Sequence, residues 1–521
     1  MKHFLRLAGL VVCFFPLAAH AQITSAASGN WSAAATWVGG TVPAAASNVV
    51  VAAGHRVTID TSNAFCNTLT VNAAGVVRFR GDGIAAGITI NGNLTVSGNA
   101  TAGTVPGTFM CDTITSPVFA EHLITLYGNL SVEAGIDSSG ILLLRMGSNG
   151  VSSAGCKVIF AGSSNSIISL QKTVQSNKEL FNAVMISKTS GAKVLLATGN
   201  LFMSNNNTTG PSWLTFASGT IETGPDNFWV VLTTSAGAVI GGSATSYVNG
   251  NLGRGITSAG AEKKFEVGDA NGYRPIAVRP LGAFTARHYM VAGVVWGNAN
   301  TVSSTFSGSI DKVSAVRYYR IRYYQGEGTP PSFPVVNFSP SYGTDDGVAA
   351  GNTDLRVAYS IDNRATWKAM PQTTAHTTTL AALPTTIVPT VLTAGDTLRD
   401  GGPPMYVALA RLSGTTTNTL EGSGTAVARE EGVPASFELA QSYPNPFNPS
   451  TTIAFSIPQA APVSLKVFDA LGKEVAVLVD GYTEAGNYSV PFDASNRSSG
   501  IYFYRLQSGH FTKTMKTMLM K

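Results

Sequence analysis

Short runs with alternating apolar positions, broken every few residues by Gly, Asn or Ser, fill the chain from Gln22 to about Asn300. Thr68–Val71, Val76–Phe79, Ile88–Val96 and Leu123–Val132 are such runs. Ile141–Leu144, Val158–Phe160, Val184–Ile186, Val194–Met203, Trp213–Phe216, Gly219–Ile221 and Phe228–Leu232 follow. A period of two with Gly and Asn punctuation predicts strands, and no stretch carries a sustained helical period. The tripeptide Gly-Asn-Leu recurs at 92–94, 128–130, 199–201 and 250–252, each time after a strand-like run. Gly and Asn both tolerate positive φ, so each copy reads as a corner between strands.

Strands this short bury little by themselves, so burial must come from stacking. A right-handed parallel β-helix fits that requirement. The copies of the tripeptide are spaced 36, 71 and 51 residues apart, so the period is loose. Antiparallel hairpins turning at Asn91-Gly92 and Asn249-Gly250 are the alternative. Ahead of the runs, Trp31 and Trp37 precede Gly39-Gly40 and Pro43, and two β-branched segments, 48–51 and 56–59, come next. Aromatic bulk at this point reads as a cap over the open end of the stack.

Beyond Tyr247 the texture changes. The run Val316–Tyr324 and the strands 335–338, 355–360 and 406–410 predict a β-sandwich over 304–412. Its Arg and Tyr residues read first as an ordinary strand with one solvated face, and secondly as a sugar-facing platform. Residues 413–434, rich in Gly, Ser and Thr, read as a linker. From 435 to 521 alternation is clear at Ile453, Phe455 and Ile457, then at Val463, Leu465 and Val467. About seven strands in so short a stretch predict a small Ig-like sandwich. Three prolines, Pro444, Pro446 and Pro449, predict an extended segment leading into it. The fold class expected is therefore all-β: a β-helix-like stack over 22–303, a middle sandwich and a C-terminal sandwich.

Composition adds an address. Residues 1–21 combine Lys2 and Arg6, an apolar core from Leu7 to Leu17, and Ala19-His20-Ala21 before Gln22. That is the pattern of a secretory leader cleaved between Ala21 and Gln22, too short to span a bilayer. No later stretch reads as a transmembrane helix. The net charge of +5 becomes 34 − 2 − 29 = +3 without the leader, and the basic residues are dispersed, so no nucleic-acid partner is expected. Charged residues make up 12%, too few for a disordered chain of high charge. Cys66, Cys111 and Cys156 are spaced 45 apart, which suggests related coils; buried thiols with at most one disulfide are expected.

Chemistry is sparse. No nucleophile elbow and no His-Glu-x-x-His exist. His55, His122, His288, His376 and His510 lie far apart, and no catalytic, metal or cofactor-binding residue and no cofactor is assigned. Asp269 with Asn271, and Asp345-Asp346-Gly347 with Asp354, are weak calcium patterns that read better as turns. Gly81-Asp82-Gly83, Gly472-Lys473 and Ser309-x-x-Lys312 imitate larger motifs without their context.

Two stretches resemble known families. Trp37-x-Gly-Gly-x-x-Pro43 with Val49–Asp60 resembles the opening of G8-type domains of secreted surface proteins, which implies a β-rich extracellular module. Lys263–Val278 is similar to a Val-Gly-x-x-x-x-Tyr-Arg-Pro block common in large secreted bacterial proteins. The last module strongly resembles the type A C-terminal sorting domain of type IX secretion. The matching residues are Tyr443, Pro444, Asn445, Pro446, Phe447, Asn448 and Pro449, then Asp469 to Gly472. Gly500, Tyr502 and Tyr504 follow, with the basic tail Lys513, Lys516 and Lys521. The resemblance implies export through the periplasm, the type IX secretion machinery as partner, and a surface sortase that removes the domain. The Ig-like domain of flagellar hook-cap proteins is similar but would not explain the leader. The expected function is a secreted or surface β protein without enzymatic activity, acting as adhesin, matrix or glycan-contact module. The alternative is a β-helix polysaccharide lyase or glycosidase sent by the same route.

Overall fold

A computed structural model describes residues 21–111, 121–135, 141–143, 156–171, 181–203, 214–233, 236–256, 262–269, 272–280, 288–300, 304–325, 336–342, 346–348, 354–370, 404–421, 428–430, 436–458, 461–483, 486–509 and 511–520. Among the described residues the chain is all-β, with three single-turn 3-10 helices at 34–36, 38–40 and 236–238 and no α-helix. Leader residues 1–20, Asn271, Asp345, His376, His510 and Lys521 lie outside the described residues.

The first half is a parallel stack with three walls. The first wall joins 22–24, 48–51, 68–71, 94–96, 130–132, 166–170, 193–198, 220–231 and 248–256 in that order. The second joins 64–66, 87–90, 122–126, 156–162, 183–188, 214–218 and 239–240. The third joins 29–30, 56–59, 76–79, 108–110 and 141–143. Every strand pair in these three walls is parallel, so the hairpin alternative does not describe this region. Strands that are neighbours in sequence lie on different walls, and a parallel neighbour is reached only after a whole turn of the chain.

Register lines up like with like. Val51, Val71, Val96, Val132 and Leu170 form one inward row. On the second wall Ala64, Ile88, Ile124, Val158, Val184, Leu214 and Val239 form another. Each fully buried Val, Leu or Ile of such rows contributes about 1.5–3 kcal/mol relative to exposure. Between the inward positions of the first wall, Thr70, Thr95, Ser131 and Ser169 face out.

The Gly-Asn-Leu corners work differently from the expectation of positive φ. Gly92 and Gly128 are not among the residues with positive φ, whereas Gly199 (76°) and Gly250 (125°) are. At Gly92 and Gly128 the constraint is space: a Cβ on Gly128 would stand 2.3 Å from the carbonyl oxygen of Gly92. The asparagines bridge coils where the strands break. Asn93 Oδ1 accepts the Asn129 N–H at 3.0 Å, and Asn129 Oδ1 accepts the Ile167 N–H at 2.8 Å. Asn200 Oδ1 does the same for Phe228 N–H at 3.0 Å. These amides satisfy backbone groups that a corner would leave unpaired.

At the N-terminal end Trp31 and Trp37 are buried and meet edge to face, with ring centroids 5.0 Å apart. Trp37 Nε1 donates to the Trp31 carbonyl at 2.8 Å. At the other end the stack runs straight into antiparallel structure. Strand 248–256 pairs with 288–296, which pairs with 317–325, which pairs with 405–412. Tyr319, Ile321 and Tyr323 therefore share one core with the parallel stack, while Tyr318, Ala408 and Trp367 pack on the opposite face. The expected boundary near 303 falls inside this continuous sheet. The expected linker, 413–434, holds the buried Asn418 and Leu420 and a strand, 428–430, that pairs with 486–493.

Candidate functional site: the C-terminal sandwich

Two four-stranded antiparallel sheets form this module. One is ordered 428–430, 486–493, 450–457, 438–439; the other is ordered 474–483, 461–469, 500–508, 511–519. Alternation places Ile453, Phe455, Ile457, Val463, Leu465, Val467, Val490, Tyr504 and Leu506 inward, in a core of their own.

The segment carrying Tyr443 to Pro449 is not the extended strand expected from its prolines. It is a chain of bends, and the strand starts only at Ser450. Its three X-Pro bonds are cis. The segment runs along the outer edge of the last strand, 511–519, and fills that strand's free hydrogen-bonding positions. Phe447 N–H donates to the Met518 carbonyl at 2.9 Å, and Met520 N–H donates to the Phe447 carbonyl at 2.9 Å. Asn445 Oδ1 accepts the Met518 N–H at 2.9 Å, and Gln441 Nε2 donates to the Lys516 carbonyl at 2.9 Å. An exposed edge is a template for pairing with another chain, and this segment covers the end of it. Phe447 anchors the arrangement, buried beside Phe492 with ring centroids 5.8 Å apart. Thr451 Oγ1 donates to the Pro444 carbonyl at 2.6 Å and holds the start of the next strand.

Tyr504 ties the segment from below. Its hydroxyl accepts the Ser442 N–H at 2.8 Å and donates to the Ala440 carbonyl at 3.0 Å. Burial raises the pKa of this phenol, so it stays a neutral donor. Tyr502 donates to the Ser498 carbonyl at 2.8 Å. Asp469 closes the turn before Lys473, its Oδ1 accepting from Leu471 N–H at 2.9 Å and Lys473 N–H at 3.0 Å, and Gly472 supplies the φ of 82° that the turn needs.

The structure thus gathers Asn445, Phe447, Tyr504 and the backbone of Lys516 at one sheet edge. Tyr443 points away and is 82% exposed, while Lys513 and Lys516 project into solvent. Sequence reasoning missed Gln441, Ser442 and Thr517, although Ser442 Oγ donates to Thr517 Oγ1 at 2.9 Å across 75 positions. Nothing local marks such a contact.

The calcium patterns of the middle region are engaged otherwise. Arg317, 1% exposed, lies 2.7 Å from Asp346 and 3.9 Å from Asp269, under the ring of Trp296. Asn418 donates to Asp354. Among the described residues no group of three or more His, Cys, Asp or Glu could hold a metal ion. His55 bonds Ser25 Oγ at 2.8 Å, and His122 stacks on Phe79.

A stacked parallel β domain followed by a terminal sandwich defines a multi-module all-β protein. Family comparison makes the assignment specific: residues 441–521 match the secretion system C-terminal sorting domain, and residues 36–167 match the G8 domain. The chain carries a type IX sorting domain and is exported to the cell surface or the extracellular space. No helix among the described residues is long and apolar enough to cross a membrane. Neither a curated protein nor a solved structure matches the chain.

Proposed function

We propose that the stack is a non-enzymatic surface or matrix module that contacts extracellular glycans, delivered by its C-terminal domain. The observation that carries this reading is the character of the outward positions. The first wall presents Thr70, Thr95, Ser131 and Ser169 in register, a flat hydroxyl surface suited to repeated hydrogen bonds with a polysaccharide. Several acids of the stack are held by neighbouring cations: Glu121 by Lys157 at 3.0 Å, Glu222 by Lys193 at 2.5 Å, and Asp82 by Arg80. Paired acids of this sort are poor general acids, which glycosidases require with a raised pKa. The leader ends at Ala21, and a surface sortase cuts the terminal sandwich away after passage. Support for the first cut is that, among the described residues, the first strand starts at Gln22.

The test is the exported protein, recovered from outside the cell, on a glycan array, run beside a reducing-end release assay on the glycans it retains. Retention without release supports the reading. Release of reducing ends overturns it in favour of a lyase or glycosidase.

A further inference from the structure

The three cysteines do not occupy related positions. Cys66 ends the second-wall strand of the second coil; Cys111 follows the third-wall strand of the fourth; Cys156 opens the second-wall strand of the fifth. Cys111 and Cys156 nevertheless flank the same corner between those two walls in successive coils, as free thiols close enough to interact. Both are buried. Cys156 stands in register with His122, whose ring is taken up by Phe79 and by the Ala86 N–H at 3.1 Å. Among the described residues, that leaves His122 engaged and not free to join the sulfurs in holding a metal. Cys66 aligns with Phe160, three coils below Cys156 and four residues along the same wall, roughly 20 Å away at the usual strand spacing and rise.

We propose that Cys111 and Cys156 form a disulfide in the exported protein, stapling the fourth coil to the fifth, with Cys66 left as the single thiol. The reaction is thiol–disulfide exchange with a small or protein disulfide. One cysteine thiolate attacks the donor disulfide and releases one thiol. The second then attacks the mixed disulfide and releases the other, so two protein thiols are oxidised as one donor disulfide is reduced to two thiols. Burial of Cys156 disfavours its thiolate, so the exchange belongs to the folding chain, before the coils close over the pair. Compartment chemistry agrees, because export takes the chain out of the reducing cytosol.

The test labels thiols under denaturing conditions and maps them by mass spectrometry. It is done on protein recovered from outside the cell, and separately on the full chain refolded in glutathione with glutathione disulfide. The expected result is Cys66 labelled alone before reduction, all three after it, and a peptide pair containing Cys111 and Cys156 that is 2 Da lighter than its thiols, about one hydrogen per sulfur. Reduction lowers the melting temperature of the wild-type protein but not that of C111S/C156S, and C66A retains the bond. Labelling of all three cysteines without reductant, or a bridge that includes Cys66, overturns the proposal.

Discussion

Replacing Tyr504 by Phe removes one oxygen and nothing else from the core of the sorting domain. The ring stays buried, so no cavity opens. Two hydrogen bonds are lost, and their costs differ. The Ala440 carbonyl belongs to a half-exposed residue and regains a water, whereas Ser442 is 1% exposed and its N–H is left without a partner. A buried donor stranded in this way costs about 1–3 kcal/mol. For a domain of this size each kcal/mol shifts the midpoint by roughly 4–8 °C. Y504F should therefore lower the thermal transition of the terminal sandwich by about 4–16 °C, taking 1–2 kcal/mol as the central range. The stack, with its separate core, should be unaffected. Calorimetry of the full chain, in which the two cores melt as distinct transitions, reads both. Loss of less than about 0.3 kcal/mol, within the scatter of neutral surface changes, would show that Tyr504 does not hold the segment down.

Other perturbations give further tests. Phe447→Ala should cost the same sandwich about 3–5 kcal/mol and free the end of the last strand, seen as faster amide exchange at Met518 and Met520. G128A should destabilise the stack by about 1–3 kcal/mol in urea titration, because its Cβ meets backbone that has no room to yield; G237A, with nothing within 4 Å, is the neutral control. Trp37→Ala should remove about 3–5 kcal/mol from the N-terminal end and raise proteolysis there first. Lys188 donates to the Ala161 carbonyl, the Ser164 carbonyl and Ser166 Oγ, and burial lowers its pKa from 10.5 to about 8. The folded chain thus holds this proton less tightly than the unfolded chain, so stability should rise with pH between about 8 and 10.5 and be flat below that window. That rise should vanish in Lys188→Met.

The parallel stack was legible because its strands alternate cleanly and its coils are punctuated by glycine and asparagine. Its period was not. First-wall strands begin at 48, 68, 94, 130 and 166, so coils run from 68 − 48 = 20 to 130 − 94 = 36 residues. The Gly-Asn-Leu copies also mark two different corners. Leu94 and Leu130 open first-wall strands, whereas Leu201 opens a short strand after 193–198 and Leu252 lies inside 248–256, and their separation of 51 spans two coils through Trp229. The even cysteine spacing has no structural counterpart for the same reason. In the terminal module the alternating residues announced the core, but the path of 441–449 depends on partners 62 to 75 positions away. The segment 413–434 looked like a linker because its apolar residues are few, yet Asn418 and Leu420 are buried and 428–430 pairs with 486–493.

Export is governed by the terminal sandwich as the structure bounds it, including the strand 428–430. Surface proteolysis and fractionation of the native host should find the protein outside the cell with its terminal sandwich removed, and a chain ending at Val427 folded and retained in the periplasm. Arrival of that shortened chain at the surface in undiminished amount would contradict it.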